Sequence, residues 1–182
     1  VPMLVALAET TEQVAAVLKY CNDNGVPVMA RGAGTSLAGG ALPQMDTVVL
    51  GLSKMNEILD VNTENQTALV QAGVTNKNIS VAVDDLGLFY APDPSSQIAC
   101  TIGGNVAMNS GGAHCLKYGV TTNHTLGVKF VTMQGEIINI GGEAFDLPSY
   151  DLLGMIVGAE GQLGVVTEVT VRLMEKPEDA RP

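Results

Sequence analysis

Two periods of apolar residues divide this chain. Val14, Val17, Leu18 and Cys21 recur at helical spacing behind Thr10-x-x-Gln13, a capping-box signature, and Gly25 stops the run. Apolar runs of strand type flank that helix, at residues 1–8, 26–30 and 47–52. Strand, helix, strand, loop and strand in this tight order predict a small parallel sheet with a right-handed crossover, over about residues 1–56.

The rest has a different rhythm. Residues 57–62 and 67–74 predict an antiparallel pair across the polar turn Thr63-Glu-Asn-Gln66. Ile79, Val83 and Leu86 mark a helix from near Thr75 to Gly87. Residues 126–133 and 136–140 predict a hairpin over Gln134-Gly135. A short helix over 151–157 precedes a long strand over 165–174, with Val165, Thr167, Val169, Val171 and Leu173 on one face. Pro177 and Pro182 close what reads as the start of a linker, 177–182. The class is α+β: a small parallel α/β subdomain (about 1–56) on a mostly antiparallel sheet with helices (about 57–176). There are no internal repeats and no low-complexity segment.

Composition narrows the function. With 182 residues, 46% hydrophobic and 15% charged, the chain is long enough for one domain with a core, or two subdomains sharing one. No apolar run reaches the ~18 residues of a membrane span, and no signal peptide opens the sequence. The first residue is Val, almost on a strand, so the chain reads as a piece of a longer protein. A net charge of −10 argues against a nucleic-acid partner, whose phosphates need Lys and Arg. Cys21, Cys100 and Cys115 lack metal spacing and imply a reducing, cytoplasmic setting. Cys21 falls on the apolar helix face, and Cys100 beside a glycine-rich loop reads as an incidental small residue. His114 and His124 are isolated, so no metal site is expected and both read as structural or surface residues.

The candidate chemistry lies in glycine. Arg31-Gly-Ala-Gly-Thr-Ser-Leu-Ala-Gly-Gly40 follows the strand at 26–30. A loop with so many glycines lets backbone approach a ligand, and successive N–H groups form a nest for an anion, usually a phosphate. About sixty residues on come Pro92-Asp-Pro-Ser-Ser96, Thr101-Ile-Gly-Gly-Asn105, Asn109-Ser-Gly-Gly112 and Lys117-Tyr-Gly119. Near the end stands Gly158-Ala-Glu-Gly-Gln-Leu-Gly-Val-Val-Thr167.

In this joint pattern the chain resembles the FAD-binding domain of the vanillyl-alcohol oxidase / p-cresol methylhydroxylase (PCMH-type) flavoproteins. It is most similar to the branch holding the glycolate oxidase flavin subunit, D-lactate dehydrogenases and D-2-hydroxyglutarate dehydrogenase. The resemblance covers nearly the whole chain and implies FAD between the two subdomains.

It also implies site residues. Gly32, Ala33, Gly34, Thr35 and Ser36 would hold the pyrophosphate through backbone N–H groups, with Gly39 and Gly40 completing the loop. Arg31 would either pair with phosphate or pack beside the loop. Pro92 and Asp93 would fix an extended approach to the second stretch. Thr101, Ile102, Gly103, Gly104 and Asn105 would run under the flavin, the two glycines opening a short helix with free N–H groups. Ser110, Gly111, Gly112, Tyr118 and Gly119 would complete that wall. Gly161, Gly164 and Val165 would contact the adenine and ribose side, and Glu160 would either join them or serve as a turn carboxylate accepting backbone N–H bonds. Covalent relatives carry His where Thr35 stands, or Cys about where Gln97 stands, so the resemblance implies non-covalent FAD.

It further implies oxidation of a 2-hydroxy acid of glycolate or D-lactate type, with companion electron-transfer subunits as possible partners. In the related enzymes the substrate-binding groups lie on a second domain, so no catalytic residue is expected here. The alternatives are an alcohol or alditol oxidase flavin domain, and a non-catalytic flavin-binding assembly module.

Overall fold

The computed structural model describes residues 1–143 and 150–177; residues 178–182, which make up most of the expected linker, lie outside the described residues. Strand β1 (Leu4–Leu7) is followed by α1 (Thr11–Asp23), β2 (Val28–Arg31) and β3 (Val48–Gly51). The three strands form an all-parallel sheet with β3 in the centre. Thr10 caps α1: its Oγ1 accepts the Gln13 N–H at 3.3 Å. The Gln13 side chain does not close the box on Thr10, but accepts the Glu9 N–H at 2.8 Å. Gly25, at φ +64°, ends the helix in the left-handed conformation that glycine adopts cheaply.

The second sheet has five strands in the order β4-β5-β9-β7-β8: β4 (Ile58–Asn62), β5 (Thr67–Gln71), β7 (Thr125–Val131), β8 (Ile137–Gly141) and β9 (Val165–Arg172). Every pairing in it is antiparallel. Helix α2 (Asn76–Ala82), continued by a 3₁₀ turn to Gly87, and α3 (Ile102–Met108) cover one face. Two-residue strands β6 (Leu88–Phe89) and β10 (Met174–Glu175) pair with each other. Short helices α4 (Cys115–Tyr118) and α5 (Leu152–Ile156) complete the described elements. Asp151 caps α5, its Oδ1 accepting the Gly154 N–H at 2.8 Å.

Two cores result. Val70, Ile79, Ile102, Val106, Val169 and Leu173 fill the larger, between the five-stranded sheet and its helices. Val14, Leu18, Leu50, Met55, Val131 and Val165 fill the smaller, which joins α1 and the parallel sheet to the far end of β7 and β9. Fully burying such side chains contributes about 1.5–3 kcal/mol each. At the seam Gly73 donates its N–H to the Met55 carbonyl at 2.7 Å, and a Cβ there would overlap the Leu52 carbonyl. The seam needs glycine for close approach of two backbones.

The expected single apolar face of β9 is corrected. Lys129 pairs with Glu168 and Phe130 with Val166, which leaves Thr167 bulged. The extra residue reverses the alternation. Val166, Val169 and Val171 therefore pack into the larger core, whereas Val165 packs into the smaller. Thr167 reaches α1, its Oγ1 accepting from Thr11 Oγ1 at 3.1 Å.

Cys21 is buried in contact with the interior, as its helical position implied, and burial pushes its thiol pKa up. His124 is also buried, and its Nε2–H donates to the Tyr118 carbonyl at 2.8 Å. Its ring stands edge-on to Tyr90 at 6.1 Å. Burial, the largest cause, lowers the His124 pKa below its ordinary 6.5. A histidine kept neutral in the fold stabilises it fully above pH 6.5; that stability is lost as pH falls from there toward the depressed folded value. Thermal unfolding across pH 7.5 to 5 should therefore show a declining Tm below about pH 6.5. His124→Phe should flatten that limb.

Candidate functional site

The glycine-rich segments, far apart in sequence, meet at one place. Three adjoining clefts of about 70, 270 and 260 Å³ share Gly32 and Thr101 among their lining residues. The loop after β2 forms one wall and the start of α3 the other. A Cβ on Gly32 would overlap Thr101 Oγ1, so the two walls touch only because residue 32 has no side chain.

Gly32, Ala33, Gly34, Thr35, Ser36 and Gly40 line the 270 Å³ cleft together with Thr101, Gly104, Asn105, Ser110 and Glu160. Gly34 has φ +72° and Glu160 φ +54°, both left-handed. Glu160 is held there by its N–H, which donates to the Ala107 carbonyl at 2.8 Å. Gly161, Gly164 and Val165 line the 70 Å³ cleft with Arg31 and Gly103. The structure thus brings segments 31–40, 101–110 and 160–165 to one groove.

Other expected residues lie beside the groove. Gly39 forms a turn at φ +86° outside the lining of the three clefts. Ile102 is wholly buried in the larger core. Pro92 and Asp93 act as braces: the Pro92 carbonyl accepts from Asn76, and Asp93 Oδ1 accepts the His114 N–H at 3.2 Å. Asp93 Oδ2 also meets His114 Nδ1 at 2.5 Å. Gly111 and Gly112 are packed rather than open: a Cβ on Gly112 would overlap the Asp93 carbonyl, and one on Gly111 would come within 2.8 Å of Cys115 Sγ. Tyr118 lies instead on a separate cleft of about 850 Å³, with His124, Ile140 and Arg172. Its ring stacks edge-on to Phe89 at 5.7 Å, under Lys117 Nζ. Gly119, at φ +83°, ends α4 and lines neither cleft system.

The expected free N–H groups at the start of α3 are also fewer than the glycines implied. Ile102 donates to the Val74 carbonyl and Gly103 to the Ala72 carbonyl. The first turn therefore offers Gly104 rather than the pair. Sequence reasoning missed Ser53, Asn56 and Asn78, which line the 260 Å³ cleft, and Asn76, which is buried behind the groove. Their only signal was polarity next to a strand or helix start.

Charge in the groove is sparse. Arg31 is the one cation among the residues lining the three clefts, and Glu160 the one carboxylate. The Arg31 guanidinium lies over Gly34, where a Cβ would come within 2.5 Å of Nη2. The donor set suited to an anion is therefore backbone, with Thr35, Ser36 and Ser110 hydroxyls close by. The chemistry fits a dinucleotide: a pyrophosphate on backbone N–H groups, in a groove too narrow for side chains at Gly32.

The fold places the chain in a class. A solved alkyldihydroxyacetonephosphate synthase has the same fold with a TM-score of 0.84, at 24% identity over 96% of this chain and 32% of that one. The architecture is the PCMH-type FAD-binding fold. The chain belongs to the FAD binding domain family, whose model matches residues 2–141, and its cofactor is FAD. It is 53% identical over 180 residues to the glycolate oxidase subunit GlcD of Escherichia coli (strain K12), covering 99% of this chain and 36% of the relative. It is 46% identical to GlcD of Bacillus subtilis (strain 168), over 97% of this chain and 38% of the relative. It is 41% identical to D-lactate dehydrogenase of Archaeoglobus fulgidus, over 97% of this chain and 40% of the relative. The chain thus spans well under half the length of these relatives. No helix among the described residues is long and apolar enough to cross a membrane.

Proposed function

We propose that this chain is the FAD-binding part of an enzyme that oxidises a 2-hydroxy acid, of glycolate or D-lactate type, to the 2-keto acid. The observation that carries this reading is 53% identity over 99% of the chain to a glycolate oxidase subunit, in a chain whose glycine-rich groove is fully formed. FAD supplies a hydride acceptor at N5. The chain's own part is to bind and orient: backbone N–H groups of residues 32–36 take the pyrophosphate, and Ser110 and Gly104 face it across the cleft. Residues 1–176 act as one cofactor domain of two subdomains, about 1–56 and 57–176. The groups that bind the hydroxy acid lie on a further domain. Companion electron-transfer subunits and a cytoplasmic setting fit the relatives' naming as a subunit and the net charge of −10.

The test is reduction of flavin in the full-length, FAD-loaded protein under anaerobic conditions. Glycolate or D-lactate should bleach the visible flavin absorbance. No bleaching with either acid, in a protein that holds FAD, would remove the assignment.

FAD is held without a covalent bond. Thr35, at the cleft, and Gln97 offer no side chain of the kind that bonds flavin. Cys100 is buried, with its Sγ accepting from Asn105 Nδ2 at 3.3 Å. Acid precipitation of the loaded protein should leave all the yellow colour in the supernatant. Flavin in the washed pellet is the contrary result.

A further inference from the structure

At the 270 Å³ cleft, Asn105, which lines it, and Asn76, buried behind it, form a hydrogen-bond chain that ends at a hydroxyl. Asn76 and Asn105 are each only 2% exposed. Asn76 Nδ2 donates to the Pro92 carbonyl at 3.0 Å and to Asn105 Oδ1 at 3.0 Å. Asn105 Nδ2 donates to Cys100 Sγ and to Ser110 Oγ, each at 3.3 Å.

The direction of this chain is fixed at one end. A backbone carbonyl only accepts, so the Pro92 oxygen requires the amino group of Asn76. That amino group in turn requires the oxygen of Asn105. The Asn105 amino group must then face Ser110, which makes Ser110 Oγ an acceptor on that side. Its hydrogen is left for the cleft, which Ser110 lines opposite residues 32–36. The Ser110 backbone is pinned as well, its carbonyl accepting from Thr121 Oγ1 at 2.7 Å and from Thr121 N at 3.0 Å.

We propose that Asn76 and Asn105 are positioning residues that orient the Ser110 hydroxyl as a donor to an acceptor oxygen of FAD. This rests on the reading of the groove as the FAD site. A hydroxyl that arrives already oriented loses less freedom on binding than a free rotor, so the bond yields more affinity.

The experiment is a double-mutant cycle on FAD affinity, with apoprotein of the full-length chain titrated by FAD and by ADP. Ser110→Ala should weaken FAD by about tenfold, the scale of one hydrogen bond. Asn105→Leu should weaken it by about fivefold in the Ser110 background and by under twofold in the Ser110→Ala background. A purely structural role for Asn105 predicts the same loss in both backgrounds, and that result overturns the proposal. Equal FAD affinity for Ser110→Ala and wild type overturns it too, and this arm stands even if Asn105→Leu does not fold. An equal loss toward ADP assigns the bond to a phosphate oxygen; a loss toward FAD alone assigns it to the ribityl or ring side. Failure of the wild type to bind FAD would remove the site reading itself, a different outcome from either.

Discussion

Gly32→Ala should weaken FAD binding by about thirtyfold, and Thr101→Ala in the same chain should restore most of it. Residue 32 is the contact point of the two walls, lining all three clefts with Thr101. A Cβ there would overlap Thr101 Oγ1. Thr101 is buried, so its hydroxyl has little room to turn, and the loop must lift. Overfilling a packed site costs about 1–3 kcal/mol, and about 2 kcal/mol is about thirtyfold in affinity. The rescue is specific because the overlap is with one oxygen. Thr101 also makes no side-chain cap bond to α3, so removing its hydroxyl leaves the helix start intact. Isothermal titration of both variants and the double variant decides the matter. Without rescue by Thr101→Ala, the contact of the two walls is not what sets the groove.

The same position shows what sequence can and cannot carry. The groove's components were legible because glycine-rich loops are local signals: segments 31–40, 101–105 and 160–165 were each visible, and they meet. Their partition was not. Tyr118 and Gly119 sit in the same run of motifs as Ser110, yet Tyr118 turns to the other cleft, packed on Phe89. That choice is made by a residue some thirty positions earlier, which no local pattern encodes. Asn76 was invisible for the same reason, since its partners Pro92 and Asn105 lie 16 and 29 residues away.

Among the elements, periodicity succeeded where one face is buried over a full helix, as in α1. The β7–β8 hairpin was legible instead from its Gln134-Gly135 turn, since β7 is buried on both faces and β8 is largely exposed. Periodicity failed at Thr167, because a bulge is specified by the partner strand's register and not by the bulged strand alone. It also failed for β6 and β10, which at two residues each are shorter than any repeat. The central place of β3 in the parallel sheet has a simple correlate: all four of its residues are buried, whereas β1 on the edge exposes Leu4, Val5 and Leu7.

The largest effect is expected from Gly34→Val, which should abolish measurable FAD binding while Arg31→Ala reduces it only several-fold. The two variants separate geometry from charge as the means by which a chain of net charge −10 holds a dianion. Gly34 has φ +72°, a conformation that a β-branched residue adopts only with severe crowding. The strain is about 1–3 kcal/mol before any contact is counted. A Cβ would also meet the Arg31 guanidinium at 2.5 Å and drive it out of its place over the loop. Relief of that strain turns residues 32–36 out of the arrangement in which they line the cleft. Arg31 is exposed, so its attraction for phosphate is screened by water and contributes up to about 1 kcal/mol. Its affinity loss should also shrink as salt is raised, since screening removes what the guanidinium adds. Thermal unfolding first establishes that both variants are folded, and FAD titration at low and high salt then ranks them. Binding abolished by Arg31→Ala and retained by Gly34→Val would replace the backbone nest with a charge clamp.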